Sequence, residues 1–266
     1  MALIFQAFIL GLIQGVTEFL PVSSSAHLVL IQDLFGVHHE TLFLETAVHA
    51  ATLIAVVIYF RKRLLQLRPK DWVILAVGTI PAVIFSLAGS AFITNAFSTT
   101  LFVGAMLLIT GLINVSIDRI LEKRKKLPAS DVSSDDFVDV SLGVSFKNAL
   151  LIGLFQAVAI LPGVSRSGST ILGGLRSGLS RLKAFEFSFL LSIPAISGAM
   201  ALQGLEVMNS GLPGISVAEV VVAMLAAFLS GMLSLRLLKI MIVRARFEWF
   251  GWYCGIVGII TILLNI

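Results

Sequence analysis

Long runs of apolar residues, separated by short polar stretches, set the pattern of this chain. A hydrocarbon core of about 30 Å requires roughly 20 helical residues at about 1.5 Å each, and a helix satisfies its own backbone hydrogen bonds in lipid. The pattern therefore predicts an all-α polytopic membrane protein. The six predicted spans are Leu42–Phe60, Trp72–Ile93, Ser98–Ile117, Phe185–Leu205, Ile215–Leu238 and Trp249–Ile266.

Four further apolar segments are too short to cross a membrane. They occur in two pairs, and each pair flanks a break rich in Pro, Gly and Ser. Irregular backbone at membrane depth is tolerated where protein or a watery cavity surrounds it, so each pair predicts a re-entrant helical hairpin. The segments are Ala2–Gly15 with Val22–Phe35, and Ala149–Leu161 with the stretch around Ile171–Leu175.

The two hairpins resemble each other in sequence, which indicates an internal duplication. The stretch Gly11–Ser25 aligns with Gly153–Ser167 over most of its length. The matching pairs are Gly11 with Gly153, Gln14 with Gln156 and, after a one-residue slip, Pro21 with Pro162.

Each copy contains one hairpin and three spans, an odd number, so the second copy must enter the membrane inverted relative to the first. We predict a single membrane domain made of a first repeat (1–120), a polar cytoplasmic linker (121–145) and a second, inverted repeat (146–266). The tripeptide Ile-Pro-Ala recurs at Ile80–Ala82 and Ile193–Ala195, outside this register. We interpret that recurrence as chance.

Basic residues are distributed as the inversion requires. The loop Arg61–Lys70 is basic, whereas its counterpart Glu206–Gly214 has no Lys or Arg; conversely, Thr94–Ser98 has none and Arg236–Arg246 has four. The positive-inside rule places the basic loops in the cytoplasm. Both termini then lie outside, and the hairpins enter from opposite faces with their tips predicted to meet near the midplane.

Composition excludes an ordinary soluble domain. Hydrophobic residues make up 58% of the chain and charged residues 13%, with a mean hydropathy of +1.01. The net charge of +4 follows the membrane topology, and no nucleic-acid-binding motif accompanies it. The expected environment is therefore a membrane without a nucleic-acid partner, and a homodimer is left open.

Arg166 is the one basic residue that this topology does not place in a loop or at the end of a span. It lies in the second break, and Glu18 and His27 lie at the first. An ionisable group at membrane depth is costly unless it has a partner or lines a watery cavity. If the hairpin tips meet, these three side chains converge on one site.

The second break, "LPGVSRSGST", is suited to binding phosphate. Backbone amides at a helix N-terminus provide oriented dipoles, and a guanidinium can grip two oxygens at once. Beside Arg166, the candidate substrate-binding residues in this break are Gly163, Ser165, Ser167, Gly168 and Thr170.

The first break supplies a different set of groups. Ser23 and Ser24 precede His27 by four and three residues, which places hydroxyls and an imidazole on one helical face. Glu18 stands just before the turn, where it can accept a proton or hold a metal ion. Gln14 lies one turn earlier and is also a candidate for contact with the substrate.

Structural explanations compete with these functional ones. A serine at position 23 or 24 can cap the helix that begins there, a buried Arg–Glu pair can be purely structural, and a lone histidine is often a satisfied core residue. His49, on an apolar face inside a span, fits the last description. Gln14 and Gln156 are expected to hydrogen-bond to each other across the repeat.

The stretches "QGVTEFLPVSSSAH" and "LPGVSRSGST" resemble the two signature regions of the bacterial undecaprenyl-diphosphate phosphatases, the family linked to bacitracin resistance. The family's (E/Q)xxxE motif falls on Gln14 and Glu18, and the serine and histidine of PxSSxxH fall on Ser24 and His27. Its PGxSRSxxT motif falls on 162–170 with Arg166 at the centre. Glutamine at the first acidic position weakens any scheme with two carboxylates on a metal.

The resemblance implies hydrolysis of undecaprenyl diphosphate to undecaprenyl phosphate and inorganic phosphate, in the bacterial inner membrane, for peptidoglycan synthesis. Arg166 is then expected to hold the phosphoryl group, with Ser24 or His27 as nucleophile. Glu18 is expected to orient the histidine or to bind a divalent cation, Mg²⁺ or Ca²⁺. The cavity is expected to open outward.

A transporter or flippase for polyprenyl phosphates is the rival function, since inverted repeats with broken helices commonly serve alternating access. A carrier needs a cation such as Arg166 to bind phosphate. It has little need of the carboxylate, hydroxyl and imidazole grouped in the opposite hairpin, so the residues favour the enzyme.

Overall fold

Twelve α-helices and no β-strand make up the described part of the chain, which confirms the all-helical prediction. The computed structural model describes residues 2–35, 41–97, 99–125, 142–210, 215–244 and 246–264. Most of the linker predicted over 121–145, and the span ends predicted at 98 and 266, lie outside these ranges. The helices are α1 (Ala2–Phe19), α2 (Ser24–Phe35), α3 (Thr41–Tyr59), α4 (Arg61–Leu64), α5 (Pro69–Ala88), α6 (Ser90–Phe97), α7 (Thr100–Lys125), α8 (Phe146–Val158), α9 (Arg166–Arg176), α10 (Arg181–Ser210), α11 (Val217–Arg244) and α12 (Glu248–Leu264).

Four of these helices, α5, α7, α10 and α11, are long and apolar enough to cross a membrane. Four shorter apolar helices, α1, α3, α8 and α12, accompany them. Large apolar side chains cover the outer surface; Leu112 and Leu229, for example, are 67% and 64% exposed. A surface this apolar is suited to lipid rather than to water, as expected of a membrane protein.

Several helix ends differ from their predicted positions, by four residues or more at α5, α7, α10 and α11, and two of them show the physical reasons. The second span was predicted to continue to Ile93, whereas α5 ends at Ala88 and a separate helix, α6, follows. Gly89 lies between the two helices, and glycine is a poor helix former. The third span was predicted to end at Ile117, whereas α7 continues to Lys125, because a helix can continue past its apolar stretch where charged residues reach water.

Two pairs of short helices, α1 with α2 and α8 with α9, each pack together across a short break. Both breaks require a left-handed backbone: Ser23 has φ 69° and Gly163 has φ 99°. Glycine adopts this region freely, whereas at Ser23 it is uncommon and must be held by neighbouring contacts. Helix α7 packs against both α2 and α9.

Buried aromatic rings fix the end of α1 beside the first break. Phe19, the last residue of α1, packs edge-on against Phe189 in α10, with ring centroids 5.7 Å apart. Phe189 in turn contacts Phe185, at 4.9 Å. Phe19 and Phe185 are fully buried, so the position of the preceding residue, Glu18, is set by dense packing.

A buried ion pair joins α4 to α10. The guanidinium of Arg63 donates to the carboxylate of Glu186, and both residues are only 6% exposed. The predicted topology places Arg63 in a basic cytoplasmic loop, where no buried partner is required, so Arg166 is not the only arginine that pairs with a buried carboxylate among the described residues. Arg63 lies at a helix end that packs against the start of α10, where its charge is neutralised.

Candidate active site

Glu18 is the centre of a polar cluster that joins the two breaks. Nη2 of Arg166 donates to its Oε1 at 2.7 Å, which links the second hairpin to the first. Its Oε2 accepts hydrogen bonds from Ser24 Oγ at 2.7 Å and from Gln14 Nε2 at 3.1 Å. Glu18 is 8% exposed, so this carboxylate is buried but fully paired, as a buried charge must be.

A cavity of about 500 Å³ lies against this cluster, which is the size range of small-molecule sites. Glu18, Ser24 and Arg166 line it together, and most of its apolar lining residues belong to α5 and α10. Arg166 is the first residue of α9, so the positive end of that helix adds to the guanidinium charge. The other polar lining residues are Thr17, Ser23, Ser25, His49, Thr79, Ser86, Gln156, Ser165 and Gln203.

His27 is directed away from the cavity. Its Nδ1 lies 2.7 Å from the carbonyl oxygen of Ser23, and its Nε2 lies 2.7 Å from the hydroxyl of Tyr253. A carbonyl oxygen only accepts, so Nδ1 carries the proton, and Nε2 of the neutral ring accepts from Tyr253. The two rings also stack, with centroids 5.6 Å apart. His27 therefore holds the strained Ser23 turn instead of lining the site.

The predicted substrate-binding residues divide into two groups. Ser23 and Ser165 line the cavity. The others do not line the cavity, and their contacts hold the two breaks in shape. Their contacts are Gln14 with Glu18, Gly163 against the backbone of Val103, Ser167 with the carbonyl of Leu20, Gly168 N–H with Ser165 Oγ, and Thr170 with the carbonyl of Arg166.

His49 belongs to the site, although its apolar surroundings in the sequence suggested a core residue. Its Nδ1 donates to the carbonyl of Glu45 at 2.8 Å, which directs Nε2 into the cavity, 3.9 Å from Oε2 of Glu18. The intrahelical hydrogen bond uses only Nδ1, so Nε2 is left for a group in the cavity. The only signal in the sequence was a histidine within a span, and periodicity does not indicate which nitrogen faces a cavity.

Gln156 also lines the cavity, and the hydrogen bond predicted between it and Gln14 is absent from the described residues. Gln14 donates instead to Glu18. Both amide atoms of Gln156 are buried with no hydrogen-bond partner in the described part of the chain, and so is Nη1 of Arg166. Buried polar atoms without partners are rare and call for an explanation; beside a cavity, donors of this kind are suited to a polar ligand.

Two neutral residues of α7 hold both breaks in place, and the sequence reasoning overlooked them. Thr110 Oγ1 donates to the carbonyl of Gly163 at 2.7 Å and accepts from the N–H of Ser165 at 3.0 Å. One turn later, Asn114 Nδ2 donates to the carbonyl of Pro21 at 2.7 Å. One face of α7 therefore fixes the distance between the two hairpins.

Thr110→Val is expected to lower the kcat of the purified protein by roughly tenfold to a hundredfold, since small displacements of the residues that hold a substrate have effects of this size. The substitution keeps the shape of the side chain but leaves Gly163 and Ser165 without a partner. The matched control is Thr261→Val, which removes a buried threonine bonded only within its own helix. Equal activity of the two purified variants would contradict the positioning role.

The described residues do not form a metal site by themselves. No group of three or more His, Cys, Asp or Glu side chains among them could hold an ion. Among the described residues Glu18 is the one carboxylate lining the cavity, and both of its oxygens already accept hydrogen bonds, one from a guanidinium. A Mg²⁺ or Ca²⁺ ion prefers several oxygen ligands, so most of them would have to come from the substrate.

The fold and the site together define a helical membrane protein with a buried polar site, built on the Glu18–Arg166 ion pair, where two broken helix pairs meet. The chain belongs to the family described as bacitracin resistance protein BacA, whose pattern matches residues 7–260.

Several relatives carry the name undecaprenyl-diphosphatase. The protein of that name from Carboxydothermus hydrogenoformans is 38% identical over 98% of this chain and 97% of its own length. The one from Halothermothrix orenii is 36% identical, with 98% of both chains covered. Undecaprenyl-diphosphatase 3 of Bacillus cereus is 38% identical over 98% of this chain and 96% of its own.

Proposed function

We propose that this protein hydrolyses undecaprenyl diphosphate to undecaprenyl phosphate and inorganic phosphate. The observation that carries the proposal is the contact of Arg166 and Ser24 with one carboxylate, Glu18, in a cavity that also has an apolar wall from α5 and α10. Such a cavity suits a molecule with a charged head and a hydrocarbon tail. The names of the relatives support the same substrate. The reaction would return the lipid carrier to peptidoglycan synthesis and would confer bacitracin resistance.

In the proposed reaction Ser24 Oγ attacks the terminal phosphorus and undecaprenyl phosphate leaves. Glu18 Oε2, 2.7 Å from that hydroxyl, takes its proton as general base. Water then cleaves the phosphoserine and releases inorganic phosphate. Arg166 neutralises charge on the phosphoryl oxygens throughout, which is where most catalysis of phosphoryl transfer arises.

The remaining predicted residues have supporting roles in this proposal. His27 holds the Ser23 turn, and Gln14 fixes the rotamer of Glu18. Because the protein supplies so few ligands, a Mg²⁺ or Ca²⁺ ion would bind together with the diphosphate and take at most Glu18 from the chain. No step above depends on that ion.

An inverted repeat in the membrane is part of the proposal, and matching helix contacts support it. A Cβ on Gly11 of α1 would lie 2.1 Å from the backbone oxygen of Ala223 in α11. A Cβ on Gly153, its partner in the sequence alignment, would lie 2.3 Å from the backbone oxygen of Gly78 in α5. Helices α5 and α11 are counterparts in the two copies, so the two close approaches are equivalent.

The proposed orientation places both termini outside the bacterial inner membrane and the basic loops in the cytoplasm. Arg181, at the start of α10, donates to the carbonyls of Val243 and Leu121, near the ends of α11 and α7. Glu186 and Arg63 join α10 to α4 at the same end of α10. These contacts bring several basic helix ends together, which supports placing them on one side under the positive-inside rule.

Phosphate release from undecaprenyl diphosphate by the purified protein in detergent tests the proposal. We expect hydrolysis that follows enzyme concentration, measured with Mg²⁺, with Ca²⁺ and after treatment with EDTA. Activity that disappears with EDTA and returns with the ion would support a cation bound with the substrate. A protein that binds the lipid but releases no phosphate under any of these conditions would instead indicate a carrier.

A further inference from the structure

Tyr253 in α12 reaches the first break from the outer side of the protein. Its side chain is 44% exposed and its neighbour Trp252 is 70% exposed. Its hydroxyl nevertheless lies 2.7 Å from Nε2 of His27, which is only 9% exposed. The two rings are also nearly parallel, with an interplanar angle of 6°. A hydrogen bond and a ring contact therefore fix one imidazole, although Tyr253 does not line the cavity.

Glycines bring α12 into close contact with α7, which fixes the position of Tyr253. A Cβ on Gly251 would lie 3.1 Å from the backbone oxygen of Gly111, and a Cβ on Gly258 would lie 2.8 Å from that of Gly104. The absence of a side chain at these positions allows the two backbones to approach each other. Helix α7 also positions both breaks, so Tyr253 has a fixed place relative to the site.

Hydrogen bonds connect Tyr253 to the turn that carries the attacking group. Tyr253 donates to Nε2 of His27, and Nδ1 of the same ring donates to the carbonyl of Ser23 at 2.7 Å. Ser23 directly precedes Ser24, whose Oγ lies 2.7 Å from Glu18. The carbonyl of Ser23 belongs to the peptide group that leads into Ser24, so its direction helps to set where the Ser24 hydroxyl points.

The Ser23 turn needs such support because its backbone is left-handed, with φ 69°. This region is unfavourable for a residue with a Cβ, and such residues persist there only where the surrounding structure fixes them. The left-handed residue of the second break is Gly163, and glycine adopts this region freely. The first break therefore carries backbone strain at a position where the second break carries none.

We propose that Tyr253 is a positioning residue for the reaction, which acts through His27 to hold the strained Ser23 turn and thereby keeps the Ser24 hydroxyl in place for attack. The proposal rests on the proposed function, because it takes Ser24 as the attacking group. Without the tyrosine hydroxyl, the imidazole can rotate and the turn can relax toward the right-handed or extended backbone that serine prefers. Substrate binding, which depends on Arg166 and the cavity wall, is retained.

Tyr253→Phe tests this role, with Tyr59→Phe as the matched control. The chain has two tyrosines, and the other one, Tyr59 in α3, contacts Phe60 and does not line the cavity. With undecaprenyl diphosphate we expect Tyr253→Phe to lower kcat about tenfold and to change KM by no more than about twofold. Tyr59→Phe should change neither constant. An unchanged kcat in Tyr253→Phe, with or without a change in KM, would overturn the positioning role.

A double-mutant cycle with Ser23→Gly determines whether the effect passes through the turn. Glycine removes the strain at this position, so we expect Tyr253→Phe to lower kcat by no more than about twofold when Ser23→Gly is present. A purely structural effect of Tyr253 elsewhere in α12 would not depend on residue 23. An equal loss of kcat in the two backgrounds therefore contradicts the proposal.

The same cycle, measured by thermal unfolding in detergent, separates this proposal from the proposed function. We expect Tyr253→Phe to lower the Tm more in the wild-type background than in the Ser23→Gly background, whether or not the protein hydrolyses a diphosphate. If the wild-type protein cleaves no diphosphate, the proposed function fails and Ser24 loses its role, while unequal shifts in Tm still support the hold on the turn. Equal shifts in Tm would exclude that hold.

Discussion

Replacement of Arg166 by lysine is expected to lower phosphate release from undecaprenyl diphosphate by about a thousandfold or more, the range found when a transition-state donor or a phosphate-clamping arginine is removed. The guanidinium can bind the Glu18 carboxylate with one nitrogen and a phosphoryl oxygen with another. Nη2 is bonded to Glu18, and Nη1 is buried with no partner in the described residues. A lysine ammonium is a point charge that cannot hold a carboxylate and a phosphoryl oxygen in a fixed plane.

The measurement is the steady-state kcat/KM of purified Arg166→Lys and Arg166→Ala. The control is Arg176→Lys in the last turn of the same helix, where the side chain is exposed. Retention of the thermal transition in detergent separates loss of catalysis from loss of fold. If Arg166→Lys keeps activity within tenfold of the wild type, the guanidinium does not contact the reacting phosphoryl group, and Arg166 serves only to neutralise Glu18.

The fold was largely predictable because lipid imposes one rule on every span. The backbone N–H and C=O groups must form hydrogen bonds with each other, so a long apolar run becomes a helix. The rule constrains the middle of a helix better than its ends. The α5 boundary was missed because the apolar run continues past Gly89 while the helix does not, and the α7 end because charged residues extend that helix beyond the apolar stretch.

The contact of Glu18 with Arg166 was predictable for an energetic reason. A charge within an apolar chain is expensive, so each one must have a partner, and two unexplained charges in facing breaks point to each other. Arg63 shows the limit of that reasoning. It lies in a basic loop where no partner was required, yet it is buried against Glu186.

Neutral polar residues and side-chain directions were not predictable in the same way. Thr110 looks like an ordinary member of an apolar span because a threonine hydroxyl can bond to a carbonyl of its own helix, and the sequence around Asn114 does not indicate which partner its amide has. Their roles depend on the breaks that α7 happens to face. His27 and His49 show the same limit: each ring bonds to a carbonyl four residues earlier, and only the packing of other helices decides which ring enters the cavity.

Ser24→Ala is expected to abolish the covalent step and to lower phosphate release by at least about a thousandfold, since loss of a nucleophile or its base has effects of this order or larger. Ser24 Oγ lies 2.7 Å from Glu18 and lines the cavity. His27, the other candidate nucleophile, has its Nε2 bonded to Tyr253 outside the cavity. The geometry therefore favours serine as the attacking group.

The decisive measurement is a brief incubation with undecaprenyl diphosphate labelled in its terminal phosphate, followed by an acid quench. Phosphoserine survives acid and phosphohistidine does not, so label that remains on the wild-type protein and is missing from Ser24→Ala identifies Ser24. Ser25→Ala is the matched control, because Ser25 also lines the cavity but bonds to Gly163 and Ser23 rather than to Glu18. Label that persists in Ser24→Ala would exclude Ser24. A wild-type protein that turns over without label after the acid quench, and also without label after an alkaline quench in which phosphohistidine survives, would assign the attack to water and leave Glu18 as its base.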